Sequence, residues 1–249
     1  AKRRFANAKL TYVTPSNQWP LGITMSLRRR MELLDWARLQ GAWILEDDYD
    51  GEFRFSERPV GALCGLDTNG STIYLNGFNK VLFPALRIGF LVLPERLIEP
   101  FKAAKSIVER FPSVLEQAVL CDFFSEGYLG RHIRKMRELY SERLDYLERC
   151  VTSKLRGLIT LPKAHGGLQT IGWLAAGIEE ASAQNAATVS GLETIPLSYL
   201  TIAHRMPPAL VLGFSSSDGR MIRQGVEILA KVLDQERRRA GSRVPRRTA

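Results

Sequence analysis

In the first third of the chain, short apolar runs alternate with polar turns and one helical stretch. Lys9 to Val13 is short and β-branched and runs into Thr14-Pro15-Ser16-Asn17, a pattern that predicts a strand followed by a turn. Ser26 can cap a helix over Leu27 to Gln40, where Leu27, Met31, Leu34 and Ala37 recur at helical spacing before Gly41 closes it. Ala42 to Leu45 is wholly apolar, as expected of a strand buried on both faces of a parallel sheet, and it stops abruptly at Glu46-Asp47-Asp48. A second such run, Thr72 to Leu75, ends in Asn76-Gly77-Phe78-Asn79-Lys80, and a third, Ile88 to Leu93, follows Arg87. Charges gathered just past strand ends mark an open α/β sheet whose ligands sit at the carboxyl ends of the strands. Asp47 and Lys80 therefore fall at the same end.

Beyond Pro94 the pattern turns helical. Ser113 can cap a helix over Val114 to Phe124, and Gly127 separates it from a long one over Tyr128 to Leu155. There Ile133, Met136, Tyr140, Leu144 and Leu147 make an apolar stripe, with Arg131, Arg134, Lys135 and Arg137 on other faces. That reads as a packed helix with a solvated basic side in preference to a DNA-binding helix. Strand-like Leu158 to Leu161, Gly166 to Leu174 and Ala209 to Phe214, with helices near Ile178 to Ala187 and Gly219 to Gln235, form an α+β layer. The expected division is the later part of a large domain over 1–126, a linking helix over 127–155, a small domain over 156–236 and a basic, disordered tail over 237–249.

Charge changes this picture little. The net charge is +9, but Arg237 to Ala249 hold six arginines and no acid, and removing those six charges leaves +3. The basicity belongs to the end of the chain, not to a nucleic-acid-binding body. Cys64, Cys121 and Cys150 are too few and too scattered for a disulfide framework or a zinc site, so they read as free thiols, buried or half-buried, in a reducing cytoplasm. No apolar run reaches the length of a membrane span, and the first residues lack a signal peptide's apolar core. No metal is called for.

Chemistry concentrates at the strand ends. A lysine amine that can lose its proton, a carboxylate and an arginine are what an aldehyde cofactor with a pyridine ring and a phosphate requires. Lys80, Asp47 or Asp48, and Arg87 supply them, although each also has an ordinary reading as a solvated or turn-forming residue. Four segments then bear a resemblance. These are T-P-S-N-Q-W-P-L-G from Thr14, G-A-W-I-L-E-D-D-Y-D-G-E-F-R from Gly41, N-G-F-N-K-V-L-F-P-A-L-R-I-G-F from Asn76, and H-I-R-K-M-R-E-L-Y from His132. Together they resemble the MocR/GabR-type transcriptional regulators, which join an N-terminal winged helix-turn-helix to a domain like the fold-type-I aminotransferases. The similarity runs from about Leu10 to Leu233.

The resemblance implies a pyridoxal 5'-phosphate site and a PLP-dependent transferase-like fold. That fold is α/β, with part of a mostly parallel large domain and a smaller α+β domain. Lys80 matches the Schiff-base lysine, Asp47 the acid facing the pyridine nitrogen, Tyr49 the tyrosine on the ring's phenolic oxygen, and Arg87 the phosphate-binding arginine. Asn79 joins the cofactor-binding residues, although it and Gly77 stand where the family usually has small hydroxyl residues. Asn17 replaces the histidine of the common P-S-H-Q. Pro207 stands at the substrate-carboxylate arginine, and Arg205 is the nearest substitute.

Implied partners are a small amine, amino acid or vitamer effector, a second copy in a homodimer, and DNA through a winged helix-turn-helix outside this chain; no membrane is implied. The chain reads as a piece of a longer product or a truncated gene. Three functions fit: an effector-sensing regulator domain, a working class I/II aminotransferase, or a degenerate fragment. The E-D-D-Y-D-x-E-F-R stretch favours the first.

Overall fold

A computed structural model of the chain describes residue 5 and residues 7–55, 61–109 and 113–242. It divides into two compact units, Ala1–Trp19 with Ile23–Met136, and Pro20–Gly22 with Arg137–Ala249. The division falls inside one long helix.

The first unit is built on strands β1 (Leu10–Val13), β2 (Trp43–Asp47), β3 (Thr72–Gly77) and β4 (Gly89–Val92), in that spatial order. β1, β2 and β3 are parallel, whereas β4 returns antiparallel to β3. The antiparallel return corrects the expectation of a third strand of the same kind: an apolar run carries no mark of direction. Helices α1 (Leu27–Gln40), α2 (Leu63–Leu66), α3 (Glu95–Val108), α4 (Val114–Ser125) and the start of α5 (Tyr128–Lys154) complete the unit.

α1 begins and ends where its caps require. Ser26 accepts from the Arg29 amide, and Gly41 takes the left-handed conformation that a residue with a Cβ resists. Its buried face differs from the apolar stripe in the sequence. Arg30, Leu34 and Ala37 are buried, while Leu27 and Met31 are exposed. Leu34, Ala37, Ile44 and Leu63 form the core beneath one face of the sheet. The opposite face is less covered: Leu10 and Tyr12 are exposed, and β2 alternates between buried and half-buried positions. β2 is therefore not buried on both faces, as its apolar run suggested. The whole of β4 is exposed.

The second unit carries an antiparallel sheet in the order β5-β6-β8-β7. Its strands are β5 (Ile159–Thr160), β6 (Gln169–Leu174), β7 (Ile195–Pro196) and β8 (Ala209–Gly213), accompanied by α6 (Glu180–Val189) and α7 (Gly219–Ser242). Ile171, Leu197, Ala209 and Val211 make its core, joined by Leu21. α7 runs to Ser242, so the tail expected to be disordered from Arg237 is helical over its described part, 237–242. Arginine is a good helix former, and Arg238 pairs with Asp234 one turn back. Residues 243–249 lie outside the described residues. Along α5 the stripe deepens from half-buried Ile133 to buried Leu144 and Leu147, and Arg131, Arg134 and Lys135 are exposed.

The three cysteines are free, but Cys121 is exposed, not buried or half-buried. No helix among the described residues is long and apolar enough to cross a membrane.

Candidate functional site

The carboxyl end of β2 is tied to the loop after β1 by a set of buried polar contacts. Glu46 points into the covered face, fully buried, and accepts the backbone amides of Leu63 (2.7 Å) and Cys64 (2.8 Å) at the start of α2. Arg30 lies 3.9 Å from it, equally buried, and donates to the carbonyls of Pro15, Met25 and Gly61 at 2.8–3.0 Å. Burial pushes the Glu46 carboxyl up, while the two amides and Arg30 pull it the other way. Glu46 shows in the sequence only as part of a charged strand end, and Arg30 not at all; an arginine amid polar helix positions reads as exposed until its carbonyl partners are known.

The residues that follow continue this stapling. Tyr49 donates from its hydroxyl to the Asn17 carbonyl (3.1 Å), Asn17 donates from Nδ2 to Asp50 (2.7 Å), and Arg54 donates to Thr24 Oγ1 (2.9 Å). Asp48 accepts from Tyr74 (3.0 Å) and abuts Gly51 so closely that a Cβ there would sit 2.2 Å from its Oδ1. A side chain at Gly51 would thus require the Asp48 carboxylate to move. Asp50 is nearly fully buried, and its Oδ1 finds no partner among the described residues. Burial, opposed by the Asn17 amide and reinforced by Asp48 and Glu52, raises its carboxyl to about 7. Burial, followed by the charges of Asp50 and Asp47, also pushes the Tyr49 phenol up.

Asp47 closes β2 on the more open face and accepts a hydrogen bond from the Tyr12 hydroxyl on β1. β3 lies beside it with Leu75 opposite Asp47, and the chain then turns through Phe78 to Ile88 into β4. This hairpin holds Asn79, half-buried, with Lys80 and Arg87, both exposed. Among the described residues, neither cation has a hydrogen-bond or ion-pair partner. Arg87 has a φ of 53°, the one non-glycine residue described in the left-handed region, where side chains are strained.

At the hairpin's base Gly77 pairs with Gly89, and a Cβ on Gly89 would lie 3.0 Å from the Asn76 carbonyl. The close backbone approach is at Gly89; a Cβ on Gly77, the glycine that replaces a hydroxyl, would meet the Asn79 side chain at 3.3 Å and the Ile88 carbonyl at 3.5 Å. His132 of α5 contacts the Val81 carbonyl at 2.8 Å through Nε2, which must carry the proton there, and so anchors the loop next to Lys80. Its role is invisible in the sequence, where it appears as one letter of a helical motif.

The first unit therefore brings Asp47, Tyr49, Asn79, Lys80 and Arg87 to the carboxyl end of β2 and the adjoining hairpin. Arg205 lies in the second unit, exposed in the loop before β8.

No family model matches the chain. Over 221 residues it is 40% identical to the probable rhizopine catabolism regulatory protein MocR of Rhizobium meliloti, covering 89% of this chain and 45% of that protein. The chain spans about half the length of the curated relatives it matches first. Among solved structures it superposes on a multiple substrate aminotransferase from Thermococcus profundus with a TM-score of 0.86 at 28% identity, covering 96% of this chain and 59% of that one. A kynurenine aminotransferase from Pyrococcus horikoshii, solved in complex with PMP, follows with a TM-score of 0.84 at 29% identity, covering 92% and 56%. The fold is that of the PLP-dependent aminotransferases, here in part, with a mostly parallel sheet and flanking helices.

Proposed function

This chain is an aminotransferase-like domain of the MocR-type transcriptional regulators, and on that premise we propose that it is a cytoplasmic effector domain binding pyridoxal 5'-phosphate through Lys80. The observation that supports this most is the placement of two unpartnered cations, Lys80 and Arg87, on one hairpin beside the strand that ends in Asp47. The donor set suits the group: an amine, a carboxylate and a guanidinium, with Gly77 and Gly89 keeping the floor between strands free of side chains.

Lys80 would hold the aldehyde carbon, Asp47 the ring nitrogen, Tyr49 the phenolic oxygen and Arg87 the phosphate, with Asn79 beside it. When bound, the cofactor supplies an electrophilic carbon for an amine and a ring that draws electrons from the carbon next to that amine. Asp47 holds the proton at the ring nitrogen, which sustains that pull. Arg87 offers two parallel N–H bonds to phosphate oxygens. Lys80 would have to present an uncharged amine to that electrophilic carbon. The effector is a small amine, an amino acid or the vitamer itself. In the full-length protein a winged helix-turn-helix outside this chain would contact DNA, and two copies would pair.

Mixed with pyridoxal phosphate, the full-length protein is expected to develop a visible absorption band that Lys80→Ala abolishes. A Lys80→Ala variant that keeps the band would sink the assignment. Likeness to two aminotransferases supports a second reading, transamination of amino acids, with Arg205 as the candidate for the substrate carboxylate. Sustained keto-acid release from an amino donor would favour that reading; band changes without turnover would favour the sensor.

A further inference from the structure

One contact on the open face of the sheet has no part in the assignments above. Tyr12 stands on β1 in register with Leu45, so its side chain shares a face with Asp47, two residues further along β2. Its hydroxyl donates to Asp47 Oδ2 at 2.5 Å, and no other hydrogen bond to this carboxylate occurs among the described residues. A strand-end aspartate turns freely about two side-chain bonds. A donor fixed on the neighbouring strand removes that freedom and leaves Oδ1 as the oxygen with nothing bound.

We propose that Tyr12 is a positioning residue for Asp47, holding Oδ2 so that Oδ1 is presented to the ring nitrogen of a bound pyridine cofactor. The proposal rests on the cofactor reading and adds to it a residue that never touches the cofactor. The phenol keeps its proton near neutral pH: partial burial of the hydroxyl on an otherwise exposed side chain, then the hydrogen bond to Asp47 and its charge, push it up to about 12. A phenylalanine would keep the ring and lose only the donor, so the contact can be removed with little change in packing.

The test uses the full-length protein with Tyr12→Phe, Asp47→Asn, Asp47→Ala and the Tyr12→Phe/Asp47→Ala double variant. Without cofactor, subtracting the ultraviolet phenolate titration of Tyr12→Phe from wild type reads the Tyr12 phenol. It is expected to titrate above an ordinary tyrosine, and to fall back when the same subtraction is made on an Asp47→Asn background. With cofactor, loss of one hydrogen bond is expected to weaken pyridoxal-phosphate affinity about fivefold and to move the pH midpoint of the visible band. On an Asp47→Ala background Tyr12→Phe should change neither.

Unchanged affinity and midpoint in Tyr12→Phe overturn the proposal. So does an effect of equal size with Asp47 already gone. A wild type that never develops the band overturns the cofactor reading, and with it the role toward the ring nitrogen. The phenol titration still decides the Tyr12–Asp47 link by itself.

Discussion

On the carboxylate side of the strand ends, Glu46, Tyr49, Asp50 and Arg54 each bond to a segment distant in sequence, from the loop after β1 or the start of α2. On the cation side, Lys80 and Arg87 meet solvent, and the loop between them is anchored to α5 at Val81 by His132. The two halves of the candidate site are thus built on different principles. Acid-bearing residues are fixed by the fold itself, at the cost of burying charge, so their geometry exists before any ligand arrives. The cations avoid that cost and leave their hydrogen-bonding capacity unspent, which is what an incoming phosphate or aldehyde needs.

The contrast predicts that stability and ligand affinity respond to different residues. Glu46→Ala should have the largest effect on the fold. It leaves the Arg30 guanidinium buried without its counter-charge and two amides at the start of α2 unsatisfied, a loss of about 3–5 kcal/mol. Lys80→Ala, at an exposed position without partners, should stay within about 0.5 kcal/mol of wild type. Denaturant unfolding of the two variants side by side measures the difference. Equal losses would break the comparison.

Asp50 sharpens it, because the held side is held imperfectly. Its buried carboxyl has a neutral amide for a partner and one oxygen without any, and its native value of about 7 stands well above that of an aspartate in an unfolded chain. The folded state therefore binds this proton more tightly. Its contribution is present in full below the unfolded value and is lost as pH rises through about 7. The loss amounts to at most about 4 kcal/mol, spread from about pH 4 upward. Asp50→Asn, which mimics the protonated form, should flatten that slope and match or exceed wild type at pH 8. Unfolding free energies across that range decide the matter; an unchanged slope in the variant would show that the proton resides elsewhere.

Much of this arrangement is readable from the chain, and the unreadable parts share a cause. Ser26 and Gly41 bound α1, and abrupt charge after apolar runs places Asp47 and Lys80 at one end of the sheet, because capping and strand ends are local chemistry. Choosing Asp47 over Asp48 rests on the family likeness, since each carboxylate accepts one tyrosine hydroxyl, Asp47 from Tyr12 and Asp48 from Tyr74. Arg30 escaped because its partners are backbone carbonyls at Pro15, Met25 and Gly61, which carry no side-chain signature. Tyr12 escaped because its partner depends on the register of two parallel strands joined through a helix. The direction of β4 escaped for a similar reason. What a residue does locally shows in its neighbours; what it does across a sheet shows only once the strands are aligned.

The smallest predicted effect is the one with two signs. Arg87 ends the short turn Pro84–Leu86 in a left-handed conformation that costs a side-chain-bearing residue about 1 kcal/mol. Nothing described in the protein repays it, since the guanidinium has no partner there. If the strain is retained to aim a cation at phosphate, Arg87→Gly should raise stability by about 1 kcal/mol while lowering pyridoxal-phosphate affinity by about 10- to 100-fold, the worth of charged hydrogen bonds. Arg87→Ala separates the two effects: it gives up the same charge, keeps the strained backbone, and so should lose affinity without gaining stability. Unfolding and cofactor titration on the pair provide both readings. If Arg87→Gly loses stability, the left-handed turn is held by contacts of the side chain itself, and the cation side of the site is less open than its exposure suggests.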